Sequence, residues 1–210
     1  MRSLTVRTPA QVPLVKDLSL ELPPAASLLI RGPSGIGKTT LLRAMAGLWP
    51  YAEGTIARPA DLQSLFLPQK PYLPLGTLRS SVHYPGTPPQ ADGQAAATLR
   101  RCHLGHLVAR LDEEDDWTRI LSLGEQQRLA IGRVLLNRPQ VVFLDEASSA
   151  MDEGLEHTMY RLLREALPAA TLISVGHRSS LLSFHTRALE LVGEGKWRLR
   201  DLPDTASSAA

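Results

Sequence analysis

LSLGEQQRLA (Leu121–Ala130) lies between GPSGIGKT (Gly32–Thr39) and VVFLDE (Val141–Glu146). The upstream stretch points to a nucleotide. The downstream stretch, an apolar run ending in two acids, points to Mg²⁺ and hydrolysis. The string between them is absent from most proteins that have the other two, so its presence in this order decides the fold.

Gly32–Thr39 matches G-x-x-x-x-G-K-[ST] at every fixed position. An apolar stretch, Leu28–Ile30, precedes it and a helical pattern follows. Glycines at 32, 35 and 37 let backbone amides close around phosphate oxygens, and Pro33, Ser34 and Ile36 complete the loop. Lys38 supplies a positive charge to the β- and γ-phosphates. Thr39 offers a hydroxyl to Mg²⁺, Thr40 follows inside the helix, and the helix N-terminus adds its dipole.

In Val141–Glu146 four apolar residues form a buried strand that delivers Asp145 and Glu146 at its end. Asp145 is expected to hold Mg²⁺ through water, and Glu146 to orient or polarise the attacking water. In isolation such a string also suits a core strand followed by a helix-capping acid. Far downstream of a phosphate-loop lysine, the functional reading is the stronger.

Together these motifs resemble the ATPase domain of ATP-binding-cassette (ABC) transporters. The family signature is usually written LSGGQ. Ser122 and Gly124 match it, Leu123 replaces its first glycine and Glu125 its glutamine. In the family's head-to-tail dimer the signature covers the γ-phosphate of ATP on the partner's phosphate loop. Ser122 can hydrogen-bond a phosphate, Gly124 admits close backbone approach, and the helix dipole favours an anion. Ser122 with Glu125 three residues on is also a capping box, and both readings can hold at once.

Three smaller matches follow the family's order. Gln69, in FLPQKPYLPLGTLR, resembles the glutamine that touches Mg²⁺ or the attacking water and faces the membrane domain. SAMD (Ser149–Asp152) resembles the loop that crosses the dimer interface. His177, in SVGHR, resembles the histidine at the γ-phosphate. The remaining histidines, His83, His103, His106, His157 and His185, read as ordinary surface or core residues, and none has metal-ligand spacing of the kind zinc needs.

GPSGIGKTTLLRAMAGLWPYAEGTI, LPQKPYLPLGTLR, WTRILSLGEQQRLA and ISVGHR are similar to one branch of the family. It holds bacterial fused permease-ATPases related to SbmA/BacA-type importers, and the peroxisomal fatty-acyl transporters of subfamily D. The resemblance implies an α/β fold: a P-loop NTPase core with a mixed sheet, an N-terminal antiparallel β-subdomain and a helical signature subdomain. It also implies ATP and Mg²⁺, a second copy of the ATPase domain, and a transmembrane permease domain, fused upstream or separate. The place implied is the cytoplasmic face of the inner (plasma) membrane. In that branch a six-helix membrane domain precedes the ATPase, so this chain is expected to be an excised domain or a separate subunit. One departure concerns the base: residues 1–48 hold no Phe, Tyr or Trp to stack on adenine, and Thr8 stands near where such an aromatic would fall.

Composition bounds these readings. The 210 residues suffice for one domain with a full core, and 43% apolar with 21% charged residues is ordinary for a globular chain. A net charge of +2 gives no argument for nucleic acid. The single cysteine, Cys102, precludes an internal disulfide and suits a reducing compartment. No apolar run approaches the ~20 residues that span a bilayer. The ATPase domain is expected over residues 1–203, with a helical subdomain at about 70–137 and a disordered tail at 204–210.

Periodicity and turn residues predict strands at Leu4–Arg7, Leu18–Leu22, Leu28–Ile30, Gly54–Ala57, Ser64–Leu67, Val141–Leu144, Thr171–Val175, Ala188–Val192 and Trp197–Leu199. Helices are predicted at Lys38–Gly47, Ala91–Leu111, Gly124–Asn137 and Glu153–Leu167. Five prolines between Gln69 and Gly93 predict an irregular connector around one short helix, and LDEEDDW (Leu111–Trp117) a loop or helix end. Two rival readings remain: a non-transport ABC ATPase of DNA repair or translation, and a catalytically weak regulatory cassette. The first usually brings a coiled coil, a zinc module or paired cassettes. Leu123 favours the second weakly, and Glu146 with His177 argues against it.

Overall fold

The computed structural model describes residues 1–88 and 93–203. In chain order the elements are β1 (Arg2–Arg7), β2 (Pro13–Leu18), β3 (Ser27–Arg31), α1 (Lys38–Ala46), β4 (Ala52–Thr55), β5 (Ser64–Leu67), β6 (Gly76–Thr77), α2 (Leu78–His83), α3 (Gln94–Arg101), β7 (Glu114–Asp115), α4 (Trp117–Ile120), α5 (Leu123–Asn137), β8 (Val141–Asp145), α6 (Glu153–Ala166), β9 (Thr171–Val175), β10 (Arg187–Gly193) and β11 (Lys196–Asp201). Two 3₁₀ turns lie at Gly105–Arg110 and Ser179–Phe184. The chain divides into two compact units. One holds residues 1–66, 140–146 and the described part of 169–210; the other holds 67–139 and 147–168. The expected disordered tail, 204–210, lies outside the described residues.

The first unit contains a six-stranded sheet of order β11-β10-β3-β9-β8-β5 and a three-stranded sheet of order β2-β1-β4. β10, β3, β9 and β8 pair in parallel, while β10 and β11 form an antiparallel hairpin. Parallel strands covered on both faces need continuous apolar runs. SLLI in β3 and TLISV in β9 are buried at every position. Helix α1 adds Leu41, Leu42, Ala44 and Met45 to this core, which also takes Leu4, Val6, Val15 and Leu18 from the smaller sheet. Gly47 ends α1 in the left-handed conformation, φ 79°, its amide reaching back to Ala44 O.

Two strands are displaced from expectation. The second runs over Pro13–Leu18 instead of Leu18–Leu22. Pro13, taken in the sequence as a breaker, stands first in β2, where its missing amide costs nothing. Val6↔Val15 and Leu4↔Leu18 then pair, and all four side chains are buried. β4 occupies Ala52–Thr55, earlier than Gly54–Ala57, because Ala52 and Glu53 pair with Val6 and Thr5 of β1.

In the second unit α5 packs against α2, α3 and α6. The predicted helix Ala91–Leu111 is two pieces, α3 and the 3₁₀ turn at Gly105–Arg110, and its predicted start at Ala91 lies outside the described residues. His103 adopts φ 56°, and Leu104 N donates to Leu99 O with His103 N donating to Arg100 O. This left-handed cap ends α3 with a non-glycine residue, which apolar periodicity cannot foresee. Within the acidic LDEEDDW stretch, Glu114–Asp115 pairs with Gly76–Thr77. Trp117 closes over that small sheet, its Nε1 donating to Gly76 O at 3.1 Å and the Arg110 guanidinium lying 4.8 Å from its ring centroid.

Two glycines make opposite demands. Gly54 has φ 108°, and a Cβ there would meet Ser3 O at 2.5 Å. Gly154, in α6, has no such φ and only an ordinary 3.4 Å contact with Asp152 Oδ1. Gly54→Ala should therefore lower stability by about 1–3 kcal/mol, and Gly154→Ala should raise it by about 0.4–1 kcal/mol. Urea unfolding of the two variants checks both signs.

Candidate active site

Register across the large sheet assembles the first unit's chemistry. Ile30 pairs with Val175, and Val175 with Asp145. The three parallel strands therefore end side by side, at the edge where ligands of open α/β sheets bind. The phosphate loop leaves β3 just beyond Ile30. Glu146 follows Asp145, and His177 stands two residues past Val175. Gly32–Thr40, Asp145, Glu146 and His177, spread over most of the chain, are thus brought to one edge.

The loop needs its glycines. Gly32, Gly35 and Gly37 have φ of 143°, 75° and 106°. A Cβ on Gly32 would meet Leu191 O at 2.6 Å, and one on Gly37 would meet Leu14 Cδ1 at 3.0 Å. Lys38 Nζ donates to Gly32 O at 3.0 Å and Pro33 O at 2.9 Å, so its charge lies inside the loop. Burial pushes the Lys38 ammonium below its usual pKa, while Glu146 and Asp145 oppose that shift.

Thr39 Oγ1 donates to Asp145 Oδ1 at 2.7 Å. Asp145 is buried, and burial pushes its carboxyl above the usual range. Glu146 adds to the shift, and Thr39, Arg43 and Lys38 oppose it. A hydroxyl and a carboxylate oxygen side by side are the hard oxygen donors that suit Mg²⁺. His177 Nε2 and Glu146 Oε1 lie 3.0 Å apart. An ionised carboxylate only accepts, so Nε2–H is the donor. Glu146 has φ 49°, unusual for a residue with a Cβ, and its amide donates to Val175 O at 3.2 Å. The β8 end is therefore held in a sparsely populated conformation where its carboxylate meets His177.

The second unit holds Gln69, Ser122, Gly124, Glu125 and Asp152. Ser122 and Glu125 form the capping box at the start of α5. Ser122 Oγ and N donate to Glu125 Oε2 at 2.7 and 2.9 Å. Burial pushes the Glu125 carboxyl up, but the Ser122 donors and His106 outweigh it and hold it below the usual range. A Cβ on Gly124 would lie 3.1 Å from Ala150 O, so the glycine admits a close backbone approach. Asp152 caps α6, Oδ1 accepting from Leu155 N at 2.8 Å. The Gln69 side chain reaches Ser149 Oγ at 3.5 Å.

Two residues escaped the sequence reading. Gln127 is fully buried. Its Nε2 donates to Gln69 O at 2.8 Å and Ser149 Oγ at 3.2 Å, and its Oε1 accepts from Ala150 N at 3.0 Å. It joins the Gln69 segment, the SAMD loop and α5. The available signal was a polar residue in the buried stripe that continues through Ala130, Ile131 and Val134. His106, read as ordinary, has its Nε2 3.0 Å from Glu125 Oε1; no local pattern joins residues so far apart. Thr8 lies in the turn between β1 and β2, its Oγ1 accepting from Val12 N at 3.1 Å.

The shift at Asp145 makes stability depend on pH. A carboxyl whose pKa is higher in the fold than in the unfolded chain opposes folding once ionised. That cost is absent below about pH 4, the unfolded value, and grows as pH rises through the raised folded value. Asp145→Asn keeps an oxygen acceptor for Thr39 and removes the charge. Without nucleotide or Mg²⁺, the variant should melt above the wild type at neutral pH, and the gain should vanish near pH 4. Thermal melts across pH decide it, and a lower neutral-pH melting point in the variant would refute the account.

Residues 15–149 match the family described as ABC transporter. The chain is 52% identical over 199 residues to an "Uncharacterized ABC transporter ATP-binding protein" of Haemophilus influenzae, covering 94% of this chain and 33% of that protein. It is 43% identical over 201 residues to the human "Lysosomal cobalamin transporter ABCD4", covering 89% and 33%. It is 37% identical over 258 residues to "ABC transporter D family member 2, chloroplastic" of Arabidopsis thaliana, covering 96% and 36%. The chain thus spans about a third of the length of the curated relatives it matches. With the phosphate loop, the strand-end acids and the signature stretch in the family's order, this chain belongs to the ABC transporter family, in its ATP-binding part.

Proposed function

We propose that the chain binds and hydrolyses ATP to drive substrate movement across a membrane, acting as one half of a head-to-tail dimer that closes over two ATP molecules. The observation that carries this reading is the pairing of Thr39 with Asp145 and of Glu146 with His177, at strand ends that share one edge with the phosphate loop. The names of the relatives support the transport role, and the partner it requires is a transmembrane permease domain, fused or separate. No described helix is long and apolar enough to cross a membrane. The place of action is the cytoplasmic face of the inner (plasma) membrane.

Each residue has a task in this reading. Loop amides and Lys38 hold the β- and γ-phosphates. Thr39 and Asp145 hold Mg²⁺, which neutralises phosphate charge when bound. Glu146, steadied by His177 through one oxygen, orients water for in-line attack on the γ-phosphorus. Ser122 and Gly124 meet the γ-phosphate of the ATP held by the second copy, with Glu125 capping the same helix end, and Asp152 lies in the loop at the dimer interface. Leu14, beside Gly37, and the exposed Val12 offer aliphatic contact to the base where no aromatic is present.

Glu146→Gln should slow turnover by at least about 100-fold and leave ATP binding intact, because the loop contacts do not involve its charge. Comparing single-turnover hydrolysis with equilibrium nucleotide binding checks this, and equal turnover in variant and wild type would remove Glu146 from the mechanism. Since the signature completes a site on another copy, specific activity should rise with protein concentration. A rate independent of concentration from a demonstrated monomer contradicts the dimer.

A further inference from the structure

Glu125 puts a carboxylate at the helix N-terminus that, on the reading above, receives a phosphate. Both of its oxygens are engaged. Oε2 accepts from Ser122 N and Ser122 Oγ, and Oε1 accepts from His106 Nε2 at 3.0 Å. The arrangement opposes phosphate binding in two ways. The carboxylate repels an incoming anion, and it takes the single hydroxyl proton that Ser122 would otherwise donate to a phosphate oxygen.

His106 answers both. Its side chain stands on the 3₁₀ turn Gly105–Arg110, with 58% exposure against 22% for Glu125, so the pair is within reach of a ligand. Its N–H is a donor to the carboxylate that does not come from the cap itself. With Oε1 fixed by His106, the Ser122 hydroxyl can rotate from Oε2 to another acceptor while Glu125 stays in place. Arg110, on the same 3₁₀ turn, and Arg119, in α4, have carboxylate partners of their own, Glu113 at 2.7 Å and Asp116 at 3.2 Å. Arg128 lies one turn further along α5.

We propose that His106 is a positioning residue for ATP. It holds Glu125 back at the cap of α5, and its N–H draws on the carboxylate's charge through the hydrogen bond, so that Ser122 and the helix N-terminus can accept the γ-phosphate bound by a second copy of this chain. The inference rests on the signature reading of Ser122, and the experiment separates the two.

The test is steady-state hydrolysis by the full chain, titrated with MgATP, for His106→Ala, Glu125→Gln, the double variant and Ser122→Ala, with melting temperatures alongside. His106→Ala should raise KM for ATP about tenfold, equivalent to about 1.4 kcal/mol, with kcat nearly unchanged, the pattern of lost binding. Glu125→Gln removes the charge that His106 manages, so the double variant should return to the KM of Glu125→Gln alone. An unchanged KM in His106→Ala overturns the proposal, as does a double variant that keeps the whole defect or a defect that follows a lowered melting temperature. Ser122→Ala should itself raise KM. If it does not, the signature reading fails and the proposal with it. If it does while His106→Ala has no effect, only the proposal fails.

Discussion

The parallel pairing of β3, β9 and β8 is the constraint on which the candidate site depends. Ile30, Val175 and Asp145 share one line across the sheet. A shift of one residue in either pairing would turn the side chains of that strand to the opposite face. Asp145 would leave Thr39, and Glu146 would leave His177. The register is held by strands whose residues are nearly all buried, so slippage would expose apolar surface. The precise placement of these side chains is a by-product of core burial.

That precision sets charge against burial. The fold pushes the Lys38 ammonium down and the Asp145 carboxyl up, each through removal from water. Neighbouring opposite charges and the Thr39 hydroxyl recover part of the cost. Glu146 adds a backbone in the left-handed region. Such features oppose stability and favour a site organised before its ligand arrives.

In the second unit, two buried glutamines of one helix tie neighbouring segments to it. Gln127 binds two otherwise irregular segments to α5, and Gln126 donates to the Thr118 and Leu121 carbonyls. Ser122 with Glu125, and Asp152, each satisfy a helix end in this unit. A residue that satisfies a helix end also stands where backbone amides are exposed to an anion.

The motifs whose chemistry is local were legible in the chain itself. The phosphate loop needs left-handed backbone at fixed places, and its glycines announce it; VVFL is apolar because its strand lies in the core. The capping box of α5 was readable because its partners are three residues apart. Other features depended on contacts between distant residues. Pro13 opens β2 because β1 pairs with it there, and the end of α3 turns on a histidine in a conformation that periodicity does not encode. His106 and Glu125, and Gln127 with Gln69, meet only after the chain has folded back on itself. Sequence by itself determined the phosphate loop, the buried strand with its terminal acids and the cap of α5, since backbone geometry and apolar period are local. Tertiary structure alone decided which of them touch, because hydrogen bonds between distant residues leave no pattern in sequence spacing.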